Sequence, residues 1–281
     1  MDKCKRFAVI VGAMKCGTTS LFRYLSEHPQ VAPSSIKSPN FFADDALWER
    51  GMNWYESKYD FVPGQHRTAL EASTAYTKVP YMPDCAARMA ATGREFRLIY
   101  LVRDPIRRIE SHYTMGQARR WDSTRVTDSA VHEKVIDLTR YASQIRRYYD
   151  RFRADKIRII KFERLRDDPR GVLRDLCGFL EIDPHYEFPS AGTVHTASGK
   201  MTRWPDWFAR FRKSPVARTL TQFVPGRRRI AQRLFGMQLV EPFRLTNPQK
   251  EQILQALEPE LLELRERYGV DTADWQVPQT T

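Results

Sequence analysis

Cysteine is scarce and unpatterned in this 281-residue chain: Cys4, Cys16, Cys85 and Cys177 share no paired spacing. With no CxxC and no His/Cys cluster, no metal is expected, and the thiols are expected to be reduced. Long apolar runs are absent too, and none approaches the roughly 20 residues a helix needs to cross a bilayer. The opening MDKCKRFAVIVGAMK puts basic residues before a short apolar run, with no cleavage signal after it. It reads as a first strand rather than a leader, and a cytoplasmic location is expected. Repeats and low-complexity linkers are lacking, which favours one domain over 1–281. Acid is in deficit: 46 Lys and Arg against 34 Asp and Glu give a net charge of +12. Such a balance draws anionic partners. No nucleic-acid motif accompanies it, so nucleic acid is not expected among them.

What is present begins with RFAVIVGA, a continuous apolar run that reads as a buried parallel strand ending in glycine. From Thr18 onward, Leu21, Tyr24, Leu25 and His28 recur at helical spacing. Further strands are expected over 66–73, 96–105 and 156–165, with helices from Ile106 and over 138–152. Strands alternating with helices imply an α/β fold, a central parallel sheet flanked by helices. Ligands of such sheets sit at the carboxyl ends of the strands. The stretch 204–239 is rich in Arg, Trp and Phe and nearly free of acid, and reads as a basic aromatic helical insert or lid. In the C-terminal helical segment 244–281, a helix over 248–268 is expected, with Leu254, Leu257, Leu261, Leu264 and Tyr268 on one face.

VGAMKCGTTS almost spells a phosphate loop, which requires Gly, four residues, Gly, Lys and Ser or Thr. Gly12, Gly17 and Thr19 are in place, but Thr18 occupies the lysine position and the lysine stands earlier, at Lys15. Nucleoside triphosphate loops use that lysine on the β/γ-phosphates and a further carboxylate on magnesium. LIYLVRD ends in Asp104, yet Arg103 beside it is a poor neighbour for a metal ion. What remains is an anion site. Gly17 permits close backbone approach, the next helix offers N–H groups, Thr18, Thr19 and Ser20 add hydroxyls, and Lys15 adds charge. VRDPIRRIESHY supplies a second anion site. Arg103 ends the strand with a fork of donors, and Ser111 lies near one helical face with Arg107 and Arg108. His112 beside it reads as a packing residue.

Together, AMKCGTTSL and LVRDPIRRIESHY resemble the 5′-phosphosulfate and 3′-phosphate motifs of sulfotransferases that use 3′-phosphoadenosine 5′-phosphosulfate (PAPS). The resemblance is to the heparan-sulfate-like and bacterial carbohydrate branch. It extends through SLFRYLSEHPQV, YASQIRRYYDRF, IIKFERLRDDPRGVLRDLCGFLEI and LEPELLELRERYGVDTADW. It implies a sulfotransferase domain with a P-loop-like phosphosulfate loop after the first strand. The implied reaction is metal-independent, in-line transfer of a sulfuryl group to a hydroxyl or amine of a carbohydrate, glycolipid or small molecule. Adenosine 3′,5′-bisphosphate is the implied product. The implied cofactor residues are Lys15, Cys16, Gly17, Thr18, Thr19 and Ser20 for the phosphosulfate, and Arg103 and Ser111 for the 3′-phosphate. Ser198, Gly199, Lys200 and Arg203 of HTASGKMTR are the third implied cofactor segment. Lys37, Ser38, Asn40 and Phe41 of KSPNFF, with Gln144, are the implied acceptor residues.

On the acceptor side the chain departs from the branch, which carries a glutamate where Ser38 stands, a histidine in some relatives where Asn40 stands, and a lysine at Ala72. Lys15 is therefore expected to be catalytic with Glu71 as the base, ahead of Asp44, Asp45 and His195. Glu71 also admits a purely structural reading. Two other kinds of function stay open: a P-loop nucleotide kinase-like enzyme, and a non-catalytic anion binder. The latter would touch a membrane surface through Trp204, Trp207, Phe208, Phe211 and their basic neighbours.

Overall fold

The computed structural model describes residues 6–119, 131–192, 202–203 and 238–275. In chain order the elements are β1 (Arg6–Gly12), α1 (Thr18–Leu25), β2 (Val31–Pro33), α2 (Asp45–Trp48), α3 (Gly51–Glu56) and β3 (Thr68–Ala72). Next come α4 (Cys85–Ala91), β4 (Glu95–Val102), α5 (Pro105–Arg119), α6 (Glu133–Asp137), α7 (Tyr141–Tyr149) and β5 (Ile157–Lys161). The chain continues with α8 (Phe162–Asp167), α9 (Pro169–Leu180), β6 (Thr202–Arg203), β7 (Gln238–Leu239) and α10 (Asn247–Glu266).

The five longer-range strands form one sheet in the order β2-β3-β1-β4-β5, and every pairing is parallel. The central strands β1 and β4 are buried from their second residue on, and β3 is buried throughout. A strand covered on both faces has no polar side to present, which is why these segments read as unbroken apolar runs. β5 lies at an edge and keeps Arg158 in solvent. The expected strand over 156–165 stops at Lys161, because Phe162 already begins α8 and buries with Leu165 at helical spacing. Aromatic rings fill the β2–β1 side of the core: Phe41 lies 4.9 Å from Tyr55, and Phe42 5.6 Å from Tyr76.

α10 starts on a reciprocal cap, with Thr246 accepting from the Gln249 N–H and the Gln249 side chain accepting from the Thr246 N–H. Its buried stripe is Ile253, Leu257, Leu261 and Leu264, one residue off the expected stripe at its start. Leu254 is half-buried, and Tyr268 packs on Tyr149 at 4.8 Å.

The strand order fixes where a ligand can sit. From β1 the chain leaves toward β2, and from β4 it leaves toward β5, in the opposite direction. The carboxyl ends of the adjacent strands β1 and β4 therefore border the crevice at the topological switch point, where open α/β sheets bind ligands.

Candidate functional site

Both sequence-derived anion motifs open onto this crevice. After β1 the loop 13–17 turns back into α1, with Lys15 at φ 74° and Gly17 at φ 90°. A non-glycine residue in the left-handed region is unusual, and such backbone concentrates at functional sites. Gly17 is the N-cap of α1 and supplies no side-chain oxygen to the first N–H groups of the helix. A β-carbon on Gly17 would stand 2.7 Å from the Phe162 ring, so glycine is required by contact as well as by φ. Thr18 and Ser20 are buried beside it and Thr19 is exposed.

After β4, Arg103 lays its guanidinium 4.5 Å over the Phe162 ring and donates from Nη1 to the Lys15 carbonyl at 3.2 Å. Thus the structure brings Lys15 and Arg103 to one place. The Arg103 Nε–H is buried with no hydrogen-bond partner among the described residues. Other buried arginine Nε–H groups share this feature, but here the orphaned donor borders the crevice at the strand ends, where an external acceptor can satisfy it. The next residue, Asp104, accepts from the Arg107 N–H at 2.9 Å and so starts α5.

Electrostatics sharpen the picture. Burial is the largest influence on Lys15, followed by repulsion from Arg103, Arg119 and Arg108, and together they push its ammonium down to about 8. The ammonium points at Met115 Sδ, 3.6 Å away on α5. Lys78 is lowered as well, by burial and then by Arg108 and Lys134. His112 is held neutral, pushed down to about 2 by burial and by Arg108, Lys78, Lys15 and Lys134. Cations that depress one another in a half-buried crevice favour an anionic ligand.

Arg107 and Arg108, expected near one helical face with Ser111, commit their guanidinium groups to other partners in this structure. Arg107 pairs with Glu110 at 3.2 Å. Arg108 is fully buried and donates to the Met14 carbonyl at 3.2 Å, the Val135 carbonyl at 2.9 Å and Thr139 Oγ1 at 3.0 Å. It ties the loop to α5 and α6, and its remaining nitrogen meets His112 Nδ1 at 3.3 Å, consistent with a packing role for His112. Ser111 is buried on α5. Cys16 is buried, 3.7 Å from the Tyr141 hydroxyl, and burial pushes its thiol up to about 11.

The acceptor-side expectations fare differently. Glu71, expected as a base, has no exposed surface and accepts from Ser73 Oγ (2.6 Å), Tyr55 OH (2.7 Å) and Tyr76 OH (3.0 Å). Three hydroxyl donors hold this buried carboxylate as a hub, the structural arrangement that its sequence position also admits, and burial raises it to about 7. Phe41 is not a substrate wall but core, stacked on Tyr55 and Trp54. Gln144 is also corrected, because its amide is spent on Val79 N, Val79 O and the Asp137 carbonyl. Ser38 donates to the Ala72 carbonyl at 2.6 Å, and the Asn40 N–H donates to Ser73 Oγ at 3.1 Å. Lys37 is half-buried and lowered by burial and then Arg23. Asp44 caps α2 through the Leu47 N–H, and Asp45 pairs with Arg88. His195, Ser198, Gly199 and Lys200, with the stretch 204–237, lie outside the described residues, and of Arg203 only the backbone is described.

Sequence reading missed Phe162 and Glu163. They follow β5 directly, so the rule of inspecting strand ends finds them once the strand is stopped at Lys161. Among the described residues no group of three His, Cys, Asp or Glu is placed to hold a metal, and no helix is long and apolar enough to cross a membrane.

Residues 5–201 match the sulfotransferase domain family. Mouse heparan sulfate glucosamine 3-O-sulfotransferase 3A1 is 29% identical over 199 residues, which are 64% of this chain and 48% of that protein. The membrane-associated sulfotransferase kil1 of Dictyostelium discoideum is 28% identical over 192 residues, 65% of this chain and 38% of that one. This chain thus spans about half the length of the first of these relatives. A sulfotransferase crystal structure from Alicyclobacillus acidocaldarius superposes with a TM-score of 0.66 at 21% identity, covering 98% of this chain and 100% of that one. Sulfotransferase STF9 of Mycobacterium avium gives 0.51 at 12% identity, over 99% and 79%. These two establish the fold. The family match runs across both strand ends that build the cation crevice and covers more than half the chain, which therefore belongs to the sulfotransferase family of enzymes.

Proposed function

We propose that this protein transfers a sulfuryl group from PAPS to a hydroxyl or amine of a carbohydrate, glycolipid or small-molecule acceptor. The observation that carries the reading is the joining of Lys15 and Arg103 at the switch point, with the buried Arg103 Nε–H lacking an acceptor among the described residues. A donor with two separated anionic groups fits these residues. Lys15, Cys16, Gly17, Thr18, Thr19 and Ser20 would hold its 5′-phosphosulfate, Arg103 and Ser111 its 3′-phosphate, and the segment around Lys200 and Arg203 its nucleotide. When bound, PAPS supplies an activated sulfuryl group and a bisphosphate leaving group.

The chain's own residues have clear tasks. The α1 N-terminus orients an anion by N–H donation and by the helix dipole. Lys15, still mostly protonated at pH 7, stabilises negative charge that grows during the transfer. Arg103, planted on Phe162, fixes the far end of the donor so that its reacting end is aligned. Glu71 shapes the acceptor side by holding Tyr55, Tyr76 and Ser73 in place.

The test is binding without metal. In EDTA, adenosine 3′,5′-bisphosphate should raise the melting temperature with the concentration dependence of a native-state ligand, RT ln(1 + [L]/Kd), and magnesium-ATP should not. A protein that ignores both the bisphosphate and PAPS by melting and by calorimetry is not a PAPS enzyme.

A further inference from the structure

We propose that Trp275 and Glu163 are positioning residues of the donor site, on the reading above that Arg103 holds a donor phosphate. The backbone around Arg103 is fixed from outside its own strand. Its carbonyl accepts from Tyr141 OH at 2.9 Å, and the following N–H, that of Asp104, donates to Glu163 Oε1 at 3.2 Å. The second oxygen of the same carboxylate, Oε2, accepts from Trp275 Nε1–H at 3.3 Å. Trp275 is 4% exposed, lies edge-on to Tyr141 with ring centroids 6.3 Å apart, and has the Lys161 ammonium 5.9 Å from its ring. Asp274 pairs with that same Lys161. A residue far along the chain thus reaches two of the groups that hold the Arg103 backbone.

The chemistry of Glu163 gives this tie a second purpose. Glu163 follows Phe162, the ring on which Arg103 rests, and a carboxylate there would compete with a phosphate for the guanidinium. Its two oxygens are instead held by N–H donors, one from the backbone it anchors and one from Trp275. The indole N–H therefore occupies an oxygen that could otherwise pair with a cation, which leaves the Arg103 fork to an external anion. Without the indole N–H, Oε2 loses its donor and must turn to a neighbouring cation, and the Arg103 guanidinium, resting on the ring of the preceding residue, is the one the donor site would lose.

Trp275→Phe keeps a buried aromatic ring but deletes the donor along with part of the ring volume; Glu163→Gln is the second variant, should the first fail to fold. Calorimetric titration with adenosine 3′,5′-bisphosphate in EDTA should show affinity weakened roughly 3- to 30-fold by Trp275→Phe, and less than about twofold when Arg103 is already alanine, the non-additivity expected of coupled residues. In parallel, the Arg103 Nε–H resonance, assigned through Arg103→Lys, should shift in ligand-free Trp275→Phe protein. A lowered melting temperature with wild-type affinity and an unmoved Nε–H signal would reduce Trp275 to a packing residue and overturn the proposal. An equal loss of affinity with and without Arg103 would overturn it too. If wild-type protein ignores the bisphosphate while the Nε–H signal still responds to Trp275→Phe, the donor reading fails and the tie to Arg103 stands.

Discussion

The Lys15 ammonium sits among arginines in a crevice that already disfavours charge, and it titrates near 8 rather than in the usual lysine range. The cation is present below that value and lost as the pH climbs through it. We expect kcat/KM for the donor to fall along an alkaline limb near pH 8, and Lys15→Arg to lose that limb because guanidinium does not titrate there. Lys15→Ala should lower kcat by roughly 10²–10³-fold, the usual loss for one preorganised donor to developing charge, with a smaller change in bisphosphate affinity. Equal losses in both would contradict the role. Glu71 runs the other way. Its folded value is about 7 against 4.5 for an ordinary glutamate, so folding takes up a proton between these values, and stability falls as pH rises from about 4.5 to 7. Melting curves across that window should slope downward for wild type and flatten for Glu71→Gln. The sequence shows Lys15 and Arg103 clearly, because loop spacing and a strand end are local signals. It does not show that Glu71, Phe41 and Gln144 face inward, because partners such as Tyr55, 16 residues before Glu71, and Val79, 65 residues before Gln144, are brought up only by packing.

Among the elements, β1 and β4 were legible as largely apolar runs because the sheet buries both faces of its centre, and β3 and β5, broken by Glu71 and Arg158, were legible with looser bounds. β2 was not, since three residues ending in proline carry no pattern. The β5–α8 boundary was blurred because Phe162 and Leu165 extend an apolar run while changing its period from two to three. At the α1 N-terminus, Gly17 lies close against the Phe162 ring. Gly17→Ala would force a left-handed alanine, costing about 1–2 kcal/mol, and push its methyl into that ring. Since Arg103 rests on the same ring, the variant should lose donor affinity beyond what its melting temperature explains. A Gly17→Ala protein that is less stable but binds the bisphosphate normally would show that the loop and Arg103 are not coupled through Phe162.

For the whole molecule, a net charge of +12 surrounds a crevice whose own groups are cationic. Long-range attraction should then set how fast an anionic donor arrives. Stopped-flow association of the bisphosphate should slow steeply between 50 and 500 mM salt, ~10-fold or more, while dissociation changes far less. A salt-independent association rate would mean that the acidic residues screen the site. The tie between Trp275 and Glu163 also has a consequence in time. A ribosome delivers Lys15 and Arg103 before Trp275, and the two strands that precede them can pair before that indole is made. The indole that steadies Arg103 arrives more than a hundred residues later. The sheet can therefore assemble in the order of synthesis, but its anion grip is completed only after the sheet, so that a nascent chain has its charges well before it can use them.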